Sequence, residues 1–212
     1  MEKEDERILV VNQRVLFAHN EYFQGFRPAE ENNYELAIVE SGKFARRGDV
    51  ETDFSLKQPI GYCLVVNPAL GKVFVYRRAP STNSRGDGRL QGKWSCGIGG
   101  HIEMPDQSQG NPITKSMSRE LQEEVTIHGK VQGINVLGYL NDDSNDVGRV
   151  HFGILYTAVT DASLVEPKAP EIKEGRLRTI AELEDLCRNP RIKVEGWSKI
   201  ALDPIKKFLL NK

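Results

Sequence analysis

The chain has 212 residues, which suits one domain with appendages or at most two small ones, and its apolar content allows a sizeable core. Its 29 basic and 30 acidic side chains leave a formal net charge of −1, without the basic surface that nonspecific nucleic-acid binding needs. No apolar run approaches the ~20 residues of a membrane helix, and the acidic start, Met1 to Arg7, lacks a basic-then-apolar leader, so a cytoplasmic protein off the membrane is expected. Cys63, Cys96 and Cys187 are odd in number and lack CxxC spacing, which predicts buried, reduced thiols.

In chain order, Ile8 to Val11 and Val15 to Phe17 are short β-prone runs around Asn12-Gln13 and predict a small hairpin. Tyr34 to Glu40 has a helical pattern that stops at Gly42, a C-cap residue. The clearest strands are Ile60 to Val66 and Lys72 to Arg78. Between them Asn67-Pro68-Ala69-Leu70-Gly71 carries turn chemistry and predicts a hairpin. Ser81 to Gly92 is polar and glycine-rich, hence a loop. Trp94 to Ile98 predicts a strand running into Gly99-Gly100, and Asp106 to Pro112 a second polar loop. From Ile113 to Thr126 the pattern becomes helical, with Met117, Leu121 and Val125 on one face.

Val131 to Leu140 and Arg149 to Val159 predict strands joined by the acidic turn Asn141 to Asp146. Asp161 to Glu174 reads as a loop and Arg176 to Ile180 as a last strand. A helix from Ala181 stops before Pro190, and a closing helix, Trp197 to Leu210, is interrupted by Pro204. Strands dominate, and the best helices follow strand pairs, which predicts an α/β fold with a mixed sheet flanked by helices. Residues 1–58 are expected to form an N-terminal extension packed on a main domain at 59–212, with no linker between them.

Arg119-Glu120-Leu121-Gln122-Glu123-Glu124 places three glutamates within an arc of roughly 100° on a helix. Their repulsion should raise their pKa values or melt the helix unless a cation sits among them. Mg²⁺ takes one or two carboxylates plus waters and phosphate oxygens. Glu120 and Glu124, at i and i+4, can hold one ion, and Glu123 can ligate a second or deprotonate a water. A Glu-rich helix can equally be a solvated face.

With Gly99-Gly100 upstream, the segment from Gly100 to Ile127 resembles the signature of the Nudix hydrolases, G-x5-E-x7-R-E-U-x-E-E-x-G-U with U aliphatic. Arg119-Glu120, Leu121, Glu123-Glu124 and Ile127 match. Three positions depart from it. Gly100 and Arg119 are nineteen apart rather than fourteen, which puts five inserted residues in Gln107 to Asn111. Asp106 stands in the first glutamate's slot and Thr126 in the last glycine's. Trp94 to Ile102 and Val150 to Gly153 are similar to a bacterial branch described as MutT-like predicted phosphoesterases.

The resemblance implies a Nudix-type α/β/α sandwich. It implies Mg²⁺ or Mn²⁺ held by Glu120, Glu123, Glu124 and the backbone near Gly100, and cleavage of a phosphoanhydride bond in a nucleotide-like substrate; a homodimer is among the assemblies it allows. The glycine pair would let the strand end pass close to the helix, and Arg119 would orient a carboxylate by bidentate pairing. Glu174, chosen over Glu171, would be the extra carboxylate that such enzymes carry in a loop, acting as base.

Arg77, Arg78, Arg85 and Arg89 surround the glycine-rich loop, and Arg78 and Arg89 are the candidates for gripping phosphates. His151 is a candidate substrate contact whose alternative is a packed histidine. Glu103 either reaches the metal cluster or pairs with Arg119 or Lys115, and Tyr76 or Tyr139 could stack a base. A noncatalytic binding or sensor module on the same fold is the alternative reading. An isomerase on that fold would need a His cluster beside Cys96, where only His101 is near.

Overall fold

The computed structural model describes residues 3–19, 21–80, 88–108 and 110–211. Arg85 and most of the Ser81 to Gly92 segment lie outside them. The described strands are β1 (Arg7–Asn12), β2 (Gly25–Pro28), β3 (Lys43–Arg46), β4 (Leu56–Asn67), β5 (Lys72–Arg78), β6 (Trp94–Ser95), β7 (Val125–Ile127), β8 (Val131–Asn141), β9 (His151–Thr160), β10 (Val165–Pro167) and β11 (Ile172–Thr179). The α-helices are α1 (Gln13–Leu16), α2 (Tyr34–Ser41), α3 (Arg47–Val50), α4 (Pro112–Glu124), α5 (Asp146–Val150), α6 (Ile180–Arg188), α7 (Gly196–Ile200) and α8 (Leu202–Leu210). The fold is α/β with a large mixed sheet. No helix among the described residues is long and apolar enough to cross a membrane.

The chain divides into two compact units. One comprises Met1–Tyr62, Gly99–Arg119 and Val136–Leu155; the other comprises Cys63–Ile98, Glu120–Asn135 and Tyr156–Lys212. Strands β4, β8 and β9 and helix α4 are covalently continuous through both.

In the first unit β9, β8 and β2 are neighbours in that order, and β1 pairs antiparallel with β3 and with the start of β4. Its core is aromatic. Phe17, Phe23, Tyr34, Tyr139 and Phe152 meet at ring separations between 4.7 and 6.5 Å, mostly edge to face, the arrangement that ring quadrupoles favour. Helix α2 feeds Tyr34 into this cluster. Asn33 caps its start, and it ends at Gly42, where a Cβ would lie 2.4 Å from the Ile38 carbonyl. The glycine is thus required by close approach, since its φ of −66° is open to any residue.

In the second unit β5 lies between β11 and β4, and β6 pairs with β5. The β4–β5 hairpin closes through a 3-10 turn, Pro68–Leu70. The Asn67 side chain accepts from the Leu70 amide, and Gly71 takes the left-handed φ of 60° that lacks a Cβ penalty. Leu64, Val65, Val73, Phe74, Val75 and Tyr76 are fully buried. Helix α6 opens with a capping box: Thr179 Oγ1 accepts from the Glu182 amide, and the Glu182 carboxylate accepts from the Thr179 amide.

Three expectations are corrected. Val15 to Phe17 belongs to a helical turn, because Asn12 Oδ1 accepts from the Arg14 amide and starts one. The Asp161 to Glu174 loop contains β10, paired with β7, and the beginning of β11. The closing helix is two, with Ala201 between α7 and α8. Pro204 sits in the first turn of α8, where its missing N–H would have had no intrahelical partner.

Candidate active site

Helix α4 carries the acidic motif. Its start is set by Asn111, whose Oδ1 accepts from the Ile113 amide at 2.9 Å, and its apolar stripe of Ile113, Met117 and Leu121 is buried. Gly61 of β4 makes the close approach to this helix: a Cβ there would lie 2.8 Å from Met117 Cβ. The expectation had given that role to Gly99-Gly100. Gly99 instead packs on strand β4, where a Cβ would fall 2.2 Å from the Gly61 carbonyl oxygen.

In the first unit, Arg119 holds Asp106 through two parallel hydrogen bonds, Nε to Oδ1 at 3.1 Å and Nη2 to Oδ2 at 3.0 Å. Asp106 is buried, and its Oδ2 also accepts from the Glu103 amide at 2.8 Å. The residue in the first glutamate's slot is therefore clamped by the arginine of the motif. A fork-to-fork pair fixes both position and plane, which a lysine would not. Arg119 and Ser116 also donate to the His101 carbonyl, each at 3.1 Å. Glu103 lies 3.8 Å from Arg119.

His101 and His151 meet through their rings. His151 Nδ1 donates to the Val147 carbonyl at 2.6 Å, and its Nε2 lies 3.2 Å from His101 Nε2. His101 Nε2 also meets Gln58 Oε1 at 2.6 Å. Burial, then the charges of Arg47, His151 and Lys3, holds His101 well below the usual imidazole range. His151 is 7% exposed and fits the packed-histidine alternative. Beside it Lys57 is fully buried; its ammonium donates to Asp143 at 2.5 Å and to the Gly148 carbonyl at 3.0 Å. The burial of Lys57 in β4 gave no signal in the sequence.

In the second unit, Glu120, Glu123 and Glu124 occupy the last turns of α4. Glu123 is exposed and Glu120 half-buried. Glu124 Oε2 is shut off from water and accepts no hydrogen bond among the described residues. Burial pushes the Glu124 carboxyl up to about 8, against the Arg78 charge, with Glu120, Glu195 and Glu171 adding to the rise. The last carbonyls of α4 are capped by the chain opposite: Lys168 and Ala169 amides donate to Glu124 O at 2.8 and 3.2 Å, and Lys168 Nζ donates to Gln122 O. This explains Thr126 in the glycine slot. The helix passes directly into β7, Thr126 pairs with Glu166, and no left-handed cap is needed.

Arg78 donates from Nε to Glu195 Oε1 at 2.5 Å and lies over the Tyr76 ring, 5.5 Å from its centroid. Arg89 is exposed in the 3-10 turn Gly88–Leu90. Glu174 is corrected from loop to strand: it stands on β11 opposite Arg77, 3.8 Å from that guanidinium and half exposed. Of the two carboxylates weighed there, Glu171 is the one whose charge acts on Glu124. Tyr76 and Tyr139 are buried, Tyr76 donating its hydroxyl to Gly97 O at 2.9 Å, so neither has an open ring face for a base. Cys63 and Cys96 are buried free thiols, and burial pushes Cys63 up to about 12.

No group of three or more His, Cys, Asp or Glu side chains among the described residues is already gathered as a metal cage. The donors nonetheless suit a hard cation. All three are carboxylates, one has a buried oxygen without a partner, and Mg²⁺ needs only one or two such ligands because it keeps its waters.

No family model matches the chain. Protein YmaB of Bacillus subtilis is 35% identical over 211 residues, spanning 96% of this chain and 98% of YmaB. The crystal structure of Tm1382, named as a candidate Nudix hydrolase, superposes with a TM-score of 0.77 at 26% identity and covers 96% of this chain and all of that one. The Nudix domain of Shewanella oneidensis NrtR, solved with ADP-ribose, shares the fold at a TM-score of 0.54 and 13% identity, over 72% of this chain and 88% of that one. The chain belongs to the family of YmaB and to the Nudix hydrolase superfamily.

Proposed function

We propose that the protein is a Mg²⁺- or Mn²⁺-dependent hydrolase that cleaves the pyrophosphate bond of a nucleotide or of a nucleoside diphosphate joined to another group. The observation that carries this reading is the Glu124 carboxylate, whose buried Oε2 has no hydrogen-bond partner among the described residues. An unpaired carboxylate oxygen out of water is costly unless a cation or proton is supplied from outside. Glu120 and Glu124, one turn apart, would hold the ion, with Glu123 beside them. When bound, the ion supplies positive charge against the diphosphate and the anionic transition state.

The chain's own groups do the rest. Glu123 or Glu171 accepts the proton of a water whose oxygen forms the new bond to phosphorus, and the P–O bond of the anhydride breaks with its electron pair leaving on the departing phosphate. Glu174 is less suited than Glu171, since it faces Arg77 across the β11–β5 ladder. Arg119 positions Asp106 and the turn before α4. Arg89, exposed beside the glycine-rich loop, is the phosphate contact we favour, whereas Arg78 is engaged by Glu195.

The test is a panel of nucleotides, dinucleotides and nucleoside diphosphate sugars, assayed for phosphate-containing products with Mg²⁺, Mn²⁺ or chelator. Cation-dependent cleavage of at least one compound is expected. Binding of a nucleotide without cleavage under either cation would replace the enzyme with a binding module.

A further inference from the structure

Glu124 Oε2 has no hydrogen-bond partner among the described residues, and the charge of Arg78 acts on its carboxyl. A carboxylate out of water would ordinarily capture a neighbouring guanidinium, because the unpaired charge costs several kcal/mol. Arg78 is bound by Glu195 instead. The Glu195 side chain is 6% exposed and accepts from Arg78 Nε at 2.5 Å. The guanidinium is held from a second side by the Tyr76 ring, itself fixed by the hydroxyl's bond to Gly97 O.

Glu195 is fixed in turn by its backbone. The Glu195 amide donates to Trp94 O at 2.9 Å and the Trp94 amide to Lys193 O at 2.8 Å, so residues 193–195 run parallel to β6. A segment some seventy residues beyond the acidic helix thus delivers one buried carboxylate to one arginine.

We propose that Glu195 is a positioning residue of the metal site: by holding Arg78, it keeps the Glu124 carboxylate unpaired and open to a divalent cation. The inference rests on the reading of Glu124 as a metal ligand. Glu124 can be neutralised by a proton, by Arg78 or by an ion, and Glu195 disfavours the second. Replacing Glu195 by glutamine keeps its shape and one acceptor but removes the charge that competes for Arg78. The guanidinium then turns to Glu124 and excludes the ion.

The test is a Mn²⁺ titration of the full chain, followed by electron paramagnetic resonance of free Mn²⁺, with thermal unfolding in chelator alongside. Glu195→Gln is expected to weaken Mn²⁺ binding by about tenfold or more, the scale of losing a group that orients a ligand. Its metal-free Tm stays equal to or above the wild type, because Glu124 gains a partner. In an Arg78→Met background, where no guanidinium competes, Glu195→Gln leaves Mn²⁺ affinity unchanged. A merely structural Glu195 would lower Tm in chelator and weaken binding equally in both backgrounds, which overturns the proposal, as does wild-type Mn²⁺ affinity in Glu195→Gln. Should Glu195→Gln not fold, Glu195→Met, which also removes the competing charge while filling the volume, is read by the same criteria. If the wild-type chain itself binds no Mn²⁺, the metal reading fails and this inference with it; if only the Glu195 variants depart from expectation, this inference fails alone.

Discussion

The two units treat buried charge differently. In the first, the buried Lys, Arg and Asp side chains among the described residues have partners: Lys57 has Asp143, Arg47 has Glu6 and Glu51, Asp106 has Arg119, and Asp142 accepts from Gln24 and Asn145. In the second, Arg78 is paired with Glu195 while Glu124 keeps a buried oxygen without a partner among the described residues. Complete pairing fixes geometry, and an incomplete set stores the capacity to bind something. The first pattern is that of a scaffold and the second that of a site.

The sharpest way to break this contrast is to remove the unpaired charge. Glu124→Gln or Glu123→Gln should lower turnover by at least ~100-fold on a confirmed substrate, the usual loss for one preorganised electrostatic group, with circular dichroism unchanged. Wild-type turnover in both variants would remove the proposed roles. The matching experiment in the first unit acts on stability instead. Lys57→Met strands Asp143 and two backbone acceptors and should cost about 3 kcal/mol in denaturant unfolding, as breaking a buried pair does.

Gly61→Ala should destabilise by about 2 kcal/mol, since its new methyl meets Met117 on α4 and a packed interior tolerates little extra volume. An unchanged urea midpoint would show that strand and helix can part to admit a methyl group.

The smallest effect concerns pH. His101 is held below the usual imidazole range in the folded chain, so the unfolded chain binds its proton first. The stability this contributes is present above about pH 6.5 and is lost as pH falls from there towards the folded value. Tm should drop by a few degrees over that window, and His101→Gln should flatten the fall. A wild-type Tm that rises on acidification would contradict the lowered His101 pKa.

Much of the fold was legible. The β4–β5 hairpin could be read from Asn67 to Gly71, because turn chemistry is local, and the α4 stripe from the spacing of Met117 and Leu121. Val15 to Phe17 misled because apolar β-branched character said strand while one capping side chain, Asn12, said helix. Asp161 to Glu174 misled because β10 and the start of β11 are strands only through their partners β7 and β5.

The sequence by itself determined the acidic helix, its arginine and the family they point to, since helical spacing alone puts Glu120, Glu123 and Glu124 within one arc. Only the tertiary structure decided that Asp106 is what Arg119 clamps, that Gly61 rather than Gly99 meets the helix, and that Lys168 and Ala169 replace a glycine cap. It alone brought Glu195 to Arg78. Pairing of this kind joins residues far apart in the chain, and its energy depends on burial and distance, neither of which is written in residue order.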